Sequence, residues 1–405
     1  MRGSNQPIRM PRARRAGFTL LELMVALVAA LIVISAVYSL GINSTREFHT
    51  QQRIGVAQQA LRVAMTQIRR DIGRAALFTD PVASGASGDI CTPLPVANFQ
   101  AVWIKYVKPG DAANLLPNSV ANQARADELR LVGDMSTSDR YLVERVSGNS
   151  VVLQPEFQAF RRSFTFVDGM GAQRIDAGRF NSVFRAGRLV RFDLQNGRSA
   201  FGVVDTPTAD LTSPSFTVTV ALTQDACTGN FTGASVAPIS IVQYLVEDPR
   251  SDAELANVVA PAGSFEAGLP ERALVRRELA FDNAIYGATP TVVQGTTRVI
   301  LDYVADVRYA VRSLQAAGAA PNNIVRFVDD QAEAETDNNP AGIRSVIVGL
   351  SAMTAEQDPN MSTGVTQPTG GPPLYYVPIQ NTLRAGAARV RSLSSEVFLP
   401  NMHVR

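Results

Sequence analysis

The sequence predicts an α+β protein in which a long N-terminal helix packs on a large, antiparallel β-rich head. Three observations support this fold class. Residues 18–40 form an apolar run, residues 41–78 continue it with apolar side chains at helical spacing, and residues 79–405 carry short β-branched runs between turn residues. No strand-helix-strand alternation is present, which argues against a parallel α/β enzyme fold.

Residues 1–17 form a basic leader that ends in a small residue, Gly17. The leader has no acidic residue and carries the arginines Arg2, Arg9, Arg12, Arg14 and Arg15. A secretory signal peptide has its small-residue cleavage site after the apolar segment, whereas Gly17 precedes it. Cleavage after Gly17 would therefore leave the apolar helix in the mature protein. The sequence leaves open whether Met1 or Met10 is the start.

The run of residues 18–40 has the length and composition of a transmembrane helix. An α-helix rises about 1.5 Å per residue, so this run spans the roughly 30 Å hydrocarbon core of a bilayer. Glu22 is its only charged residue. A carboxylate inside a span costs on the order of a few kcal/mol, which predicts a functional role that a plain signal anchor does not explain. Because arginine-rich flanks stay in the cytoplasm, we expect the C-terminal bulk outside the inner membrane.

Residues 41–78 are predicted to continue the helix as an amphipathic half. Apolar side chains recur at intervals of three or four, at Ile54, Ala57, Leu61, Met65, Ile68, Ile72 and Ala75. The other face carries Arg53, Arg62, Arg69, Arg70 and Arg74. No proline lies between Pro11 and Pro81, so we expect one helix of about 90 Å whose second half lies under the head.

The head, residues 79–405, is predicted to contain at least eleven β-rich segments. They are residues 101–107, 128–132, 141–146, 150–153, 189–194, 216–222, 239–246, 273–279, 298–311, 343–353 and 388–399. Four polar, Gly/Pro-rich stretches are predicted to be surface loops: 80–89, 316–323, 329–342 and 357–373. The sequence leaves open whether the head forms one lobe or two.

Composition provides little support for catalysis or for a cofactor. His49 and His403 are the only histidines, and no phosphate loop, nucleophile elbow or Cys-x-x-Cys pair is present. The acidic segment 329–337 lacks EF-hand spacing, so a solvated loop is expected rather than a metal site. Removing the five leader arginines from the formal charge of +2 leaves about −3, which argues against nucleic acid as a partner.

Cys91 and Cys227 are the only cysteines in the chain. The expected topology places both in an oxidising space, where a structural disulfide is favoured over a redox pair. Such a bond would connect the loop after the long helix to the middle of the head. Closing a loop of about 135 residues would stabilise the fold by several kcal/mol in the chain-entropy model.

The stretch Gly17-Phe18-Thr19-Leu20-Leu21-Glu22, placed between a basic leader and an apolar span, resembles a type IV prepilin. The resemblance implies that prepilin peptidase cleaves between Gly17 and Phe18 and N-methylates Phe18. It also implies that Glu22 pairs with the terminal ammonium of a neighbouring subunit during assembly. It implies no catalytic residue, metal or cofactor.

Patterns in the head resemble those of PilW-type minor pilins. The quoted segments are residues 70–75 (RDIGRA), 241–246 (IVQYLV), 274–277 (LVRR), 299–309 (VILDYVADVRY), 343–350 (IRSVIVGL) and 390–401 (VRSLSSEVFLPN). The implied function is a minor pilin that primes assembly of a type IV pilus and is incorporated at or near its tip. Such pili serve adhesion, twitching motility and DNA uptake.

The resemblance also implies partners and a location. The partners are prepilin peptidase, the other minor pilins, the major pilin, the inner membrane and, as a further candidate, a large tip adhesin. The protein would be single-pass in the inner membrane with a periplasmic head, and in the pilus fibre at the cell surface after assembly. Two alternatives are a J-type minor pseudopilin of a type II secretion system and an enzyme or adhesive module on a pilin stem.

Overall fold

The computed structural model describes residues 19–79, 82–83, 99–116, 119–195, 199–210, 217–222, 233–256, 272–282, 285–287, 289–314, 325–330, 342–354, 376–381 and 384–402. The chain divides into two compact units, residues 1–55 and residues 56–405. The first unit contains the beginning of the N-terminal helix, and the second contains the rest of that helix together with the head.

The N-terminal helix, α1, runs from Leu20 to Arg74 over 55 residues, which confirms the predicted long helix. Its predicted end at residue 78 is wrong by four residues. Ala76 and Phe78 have positive φ angles of 61° and 57°, so the chain turns out of the helix immediately after Arg74. The amide of Ala76 donates to the carbonyl of Val132 at 2.8 Å instead of continuing the helical ladder.

Three shorter helices are α2 (Ser119–Asn122), α3 (Gln158–Phe164) and α4 (Ala177–Val183), and a 3-10 turn covers Pro400–Met402. The first strands are β1 (Val82–Ala83), β2 (Phe99–Gln100), β3 (Val102–Lys105), β4 (Glu128–Gly133), β5 (Tyr141–Ser147), β6 (Ser150–Leu153), β7 (Thr165–Val167), β8 (Gln173–Ile175), β9 (Leu189–Asp193) and β10 (Ser199–Asp210). The remaining strands are β11 (Thr217–Leu222), β12 (Ser235–Glu247), β13 (Ala273–Leu279), β14 (Arg298–Leu301), β15 (Val304–Leu314), β16 (Val325–Val328), β17 (Ile343–Met353), β18 (Tyr376–Asn381) and β19 (Arg384–Phe398).

A ten-stranded antiparallel sheet is organised around the long strand β12. The first half of β12 pairs with β5 on one edge and β9 on the other, and β5-β6-β11-β10-β9 complete a closed path of six strands. The second half of β12 pairs with β4 on one side and with β13 on the other. Strand β3 pairs with the free edge of β4, and β14 pairs with that of β13. One strand therefore connects a small barrel to an open sheet.

A second antiparallel sheet has the strand order β16-β15-β17-β19-β18. The largest hydrophobic cluster joins the second half of α1, from Leu61 to Ile72, and the turn residues Ala75 and Ala76 to side chains from both sheets. A separate cluster fills the barrel and is rich in aromatic residues from α3 and α4. Among the described residues, the two largest hydrophobic clusters of the head thus lie under α1 and in the barrel, and three smaller clusters accompany them.

The β-rich architecture predicted for the head is confirmed, and several strand bounds differ. Residues 343–353 match β17 at both ends, whereas the single strand predicted over residues 298–311 is wrong. That segment breaks into β14 and β15 at Tyr303, which has a φ angle of 53°. Sequence reasoning missed β10, β16, β18, the β7–β8 hairpin and helices α3 and α4. The predicted loop at 80–89 is wrong at residues 82–83, which form β1, and its other residues lie outside the described ones. The predicted loops at 316–323 and 357–373, and residues 331–341 of the loop at 329–342, also lie outside the described residues.

Candidate functional site

The start of α1 is closed by reciprocal hydrogen bonds between Thr19 and Glu22. The amide of Glu22 donates to Thr19 Oγ1 at 3.2 Å. The backbone amide and hydroxyl of Thr19 donate to Glu22 Oε2 at 2.9 and 3.0 Å. This arrangement is a capping box, in which a threonine and a glutamate three residues later satisfy amides that the helix leaves unpaired.

The capping box fixes how the carboxylate of Glu22 is presented. Both donors from Thr19 reach Oε2, while no described residue donates to Oε1. Glu22 is exposed at the surface of the first unit, so Oε1 is accessible to a donor from another molecule. Sequence reasoning missed the role of Thr19, although the Thr-x-x-Glu spacing before an apolar run is its signal. Gly17 and Phe18 lie outside the described residues.

The first part of α1 is apolar around its whole circumference. Fourteen large apolar side chains between Leu20 and Leu40 are each 55–79% exposed, and they include consecutive residues such as Leu31, Ile32, Val33 and Ile34. A helix that is apolar on every face is stable only in lipid or among other apolar helices. By length and composition, α1 is the one described helix able to cross a membrane.

The second part of α1 is attached to the head by a buried carboxylate, Asp71, which is only 2% exposed. Its Oδ2 accepts from the hydroxyl of Tyr244 and from Nε of Arg276, both at 2.7 Å. Gln67, one turn earlier in α1, donates to Oδ1 at 3.2 Å. Tyr244 and Arg276 lie directly opposite each other on β12 and β13, so one cross-strand pair holds the helix.

Burial determines the protonation states in this cluster. Burial and the neighbouring Asp71 charge together raise the pKa of Tyr244 well above its ordinary value, so the phenol remains a donor. Burial opposes the charge on Arg276, but Asp71, Tyr244 and Glu278 together outweigh it and raise the pKa of the guanidinium. The cluster is therefore a charged pair with a neutral hydrogen-bond donor, an arrangement suited to holding elements together.

The C-terminal end of α1 is held by contacts from three parts of the head. Arg74 donates from Nη1 to the carbonyl of Met135 at 3.0 Å. Asn401 donates from Nδ2 to the carbonyls of Gly73 and Ala75, both at 3.2 Å, which satisfies acceptors that a helix end leaves open. Gly133 lies so close that a Cβ atom built there would be 2.3 Å from the carbonyl oxygen of Arg74.

A second buried carboxylate, Asp127, connects the two sheets. It accepts from the backbone amides of Val107 at 2.9 Å and Tyr309 at 3.1 Å, and it pairs with Arg125 at 3.0 Å. Burial raises the pKa of Asp127, while the charge of Arg125 and these hydrogen bonds act in the opposite direction. Because its oxygens are occupied by structural donors, the role that this geometry supports is cross-linking rather than proton transfer.

Of the other residues singled out in the sequence, His49 and Asp330 are among the described residues. His49 is exposed on α1 beside Phe48, with ring centroids 6.1 Å apart. Asp330 pairs with Lys108 at 2.7 Å at the beginning of the acidic segment. Cys91, Cys227 and His403 lie outside the described residues, and their predicted roles stay predictions.

Comparison with known families matches residues 12–38 to the prokaryotic N-terminal methylation motif. The matched residues include Gly17, Phe18, Thr19 and Glu22 and most of the apolar run. This motif indicates a type IV pilin or a pseudopilin. No curated protein and no solved structure matches the chain.

Proposed function

We propose that the protein is a minor pilin that primes assembly of a type IV pilus and is incorporated at or near its tip. The observation that carries this proposal is the methylation motif joined to a helix whose first part exposes an apolar surface on all sides. Such a surface is covered by lipid before assembly and by other subunits' helices afterwards. The protein acts as a structural subunit and not as an enzyme.

The leader and the start of α1 carry out the assembly steps. Prepilin peptidase cleaves after Gly17 and methylates the new terminal amine of Phe18. Thr19 then holds Glu22 Oε2, leaving Oε1 for the terminal ammonium of a neighbouring subunit. In an apolar bundle this attraction is much stronger than in water, because the effective dielectric constant is lower.

The head supports a position at the end of the filament. It contains a second hydrophobic core, formed mainly by the barrel inserted between β4 and β12, in addition to the core under α1. Subunits inside a shaft must pack their heads between neighbours on both sides, so a bulky insertion is penalised there. A terminal subunit has an open side. The insertion therefore favours a minor subunit at or near the tip over a repeating one.

The test is affinity purification of the epitope-tagged processed protein from membranes, followed by identification of the bound subunits. Recovery of other minor pilins and the major pilin, together with loss of surface pili in the deletion strain, is the expected result. Recovery of secretion-system pseudopilins, with normal pili and blocked secretion, would replace the proposal with a J-type pseudopilin. Recovery of neither set would contradict a filament role.

A further inference from the structure

The β7–β8 hairpin exposes three large apolar side chains at one end of the inserted barrel lobe. Phe166 is 50% exposed, Val167 is 69% exposed and Met170, at the tip, is 94% exposed. Phe166 lies opposite Arg174 and Val167 lies opposite Gln173 in the ribbon. Because successive residues of a strand face opposite sides, each face of the ribbon carries one large apolar side chain beside a polar one, and Met170 lies at its end.

The turn of this hairpin is fixed by one side chain, Asp168. Its Oδ1 accepts from the amides of Met170 at 3.0 Å and Ala172 at 2.8 Å, and its Oδ2 pairs with Nε of Arg174 at 2.9 Å. The Arg174 bond and the turn amides lower the pKa of Asp168, so the carboxylate stays charged. Gly171 supplies the positive φ angle of 83° that the turn requires.

The base of the hairpin rests on a rigid aromatic platform. Phe164, which precedes β7, is fully buried, and its ring lies 5.0 Å from Phe160 and 5.3 Å from Phe180. Ile175, the last residue of β8, is buried in the same cluster. The amide of Asp176 donates to the carbonyl of Phe164 at 2.7 Å and closes the base. The fold therefore holds an exposed apolar tip on a fixed support.

Positive charge accompanies the apolar tip. Residues 155–187 contain five arginines and three acidic residues, and Asp139, which pairs with Arg162, reduces the net charge of this surface to +1, whereas the chain without its leader carries about −3. Arg161, Arg174 and Arg179 are exposed. At about 3.3 Å per residue, Met170 lies roughly 10 Å beyond the Phe166–Arg174 pair. This is about the depth to which amphipathic segments enter a lipid interface.

We infer that the β7–β8 hairpin inserts into the interface of an anionic phospholipid membrane. Phe166, Val167 and Met170 enter the acyl boundary while the surrounding arginines contact the headgroups. Lipid is favoured over a protein pocket because the apolar residues occupy both faces of the ribbon and its end. A bilayer surrounds such a tip completely, whereas a pocket built for one face leaves the other in water.

The test uses the full mature chain, with its apolar helix covered by an amphipathic polymer, in a vesicle flotation assay. Vesicles contain phosphatidylcholine alone or with about one third phosphatidylglycerol. The variants are Met170→Ser and the triple substitution Phe166→Ser, Val167→Ser and Met170→Ser. A matched control carries Val325→Ser and Phe327→Ser, which remove a similarly exposed valine and phenylalanine from β16.

We expect the wild type and the control to float with the phosphatidylglycerol vesicles and less with pure phosphatidylcholine. The fraction of the triple variant that floats should be lower than that of the wild type by at least about tenfold, and the fraction of Met170→Ser should be intermediate. Met170 is almost fully exposed, so this single variant reports on binding without disturbing the fold. Flotation of both hairpin variants at the wild-type level would overturn the inference. Failure of the wild type to float would also overturn the inference. This is the result expected if the hairpin binds a protein instead of lipid.

Discussion

The helix cap and the proposed subunit pairing use different oxygens of the Glu22 carboxylate. Oε2 accepts hydrogen bonds from the amide and the hydroxyl of Thr19, and the amide of Glu22 donates to that hydroxyl oxygen. Oε1 remains for an intermolecular partner. The cap explains why an acidic residue is tolerated at the start of the helix, while the proposed ammonium pairing explains why it lies in a segment that enters lipid.

Glu22→Ala should insert and be cleaved normally but assemble poorly, because the carboxylate that pairs with a neighbouring Phe18 is removed. The measurement is co-purification of the processed variant with its partner subunits from membranes. Glu47→Ala is the matched control, since Glu47 is another exposed glutamate on α1 and hydrogen bonds only to Gln51 among the described residues. Partner recovery and filament number equal to wild type would show that Glu22 has no assembly role.

Asp71→Ala should destabilise the head by about 3–5 kcal/mol, because it leaves Arg276, whose side chain is only 13% exposed, without its charged partner. Arg312→Ala is the control, since it removes a half-exposed pair with Glu396 and should cost less than about 1 kcal/mol. Denaturant unfolding of both purified variants measures the difference. Equal midpoints for the two variants would show that the Asp71 cluster does not hold α1.

At the scale of elements, the C-terminal end of α1 packs closely against strand β4 at Gly133. A side chain at that position would occupy the space of the Arg74 carbonyl. The same helix end receives the Asn401 hydrogen bonds from the 3-10 turn after β19. Strand β4 and the 3-10 turn near the C-terminus therefore meet at the same end of α1.

Gly133→Ala should destabilise the protein by about 1–3 kcal/mol, because its Cβ would lie 2.3 Å from a backbone oxygen that cannot rotate away. Gly73→Ala is the matched control in the same junction. No atom lies within 4 Å of a Cβ at Gly73, and alanine is favoured within a helix by about 0.5–1 kcal/mol. The thermal unfolding midpoint should fall for Gly133→Ala and rise for Gly73→Ala. Midpoint shifts of the same sign and size in both variants would contradict the close approach at Gly133.

Local patterns predicted α1 and most strands, because periodic burial is visible in the residues themselves. Strand β17 alternates between the core and the outer face along much of its length, and its predicted bounds were correct. The break at Tyr303 was missed because a tyrosine with positive φ has no sequence signal comparable to glycine. Helices α3 and α4 have only seven residues each, and tertiary packing of their phenylalanines stabilises them.

The candidate site was predicted only where its residues are neighbours in sequence. Glu22 stands out as a charge in an apolar run, whereas Thr19 was missed although its spacing from Glu22 is a capping signal. The partners of Asp71 lie 173 and 205 residues away, at Tyr244 and Arg276. No local pattern connects an acid on a helix to a tyrosine and an arginine on two later strands, so this cluster required the folded structure.

At the scale of the whole molecule, alkaline pH should destabilise the head through its buried tyrosines. Burial raises the pKa of Tyr141 and Tyr286 from 10.0 to about 12, and it raises the pKa of Tyr244 and Tyr309 in the same direction. The unfolded chain then releases protons that the folded chain retains. Stability is fully present below pH 10 and falls between about pH 10 and 12, by about 1.4 kcal/mol per pH unit for each tyrosine.

Denaturant midpoints measured from about pH 9 to 11, alongside tyrosinate absorbance, test this expectation. Tyr141→Phe keeps the ring among its aromatic neighbours but removes one ionisable group, so its stability should decline less steeply with pH than that of the wild type. A wild-type midpoint that does not change over this range would contradict the assignment of neutral, buried phenols.

The central claim is that the chain is a prepilin-type subunit processed between Gly17 and Phe18. A peptidase that cuts at the membrane face must fit the side chain of residue 17 beside its own carboxylates, and a hydrogen fits where larger groups clash. The most direct measurement is mass spectrometry of the N-terminal peptide of the membrane-extracted protein, for wild type and for Gly17→Leu. We predict N-methylated Phe18 as the first residue of the wild type and an intact leader in Gly17→Leu. A mature wild-type chain that begins at any residue other than Phe18 would contradict the claim.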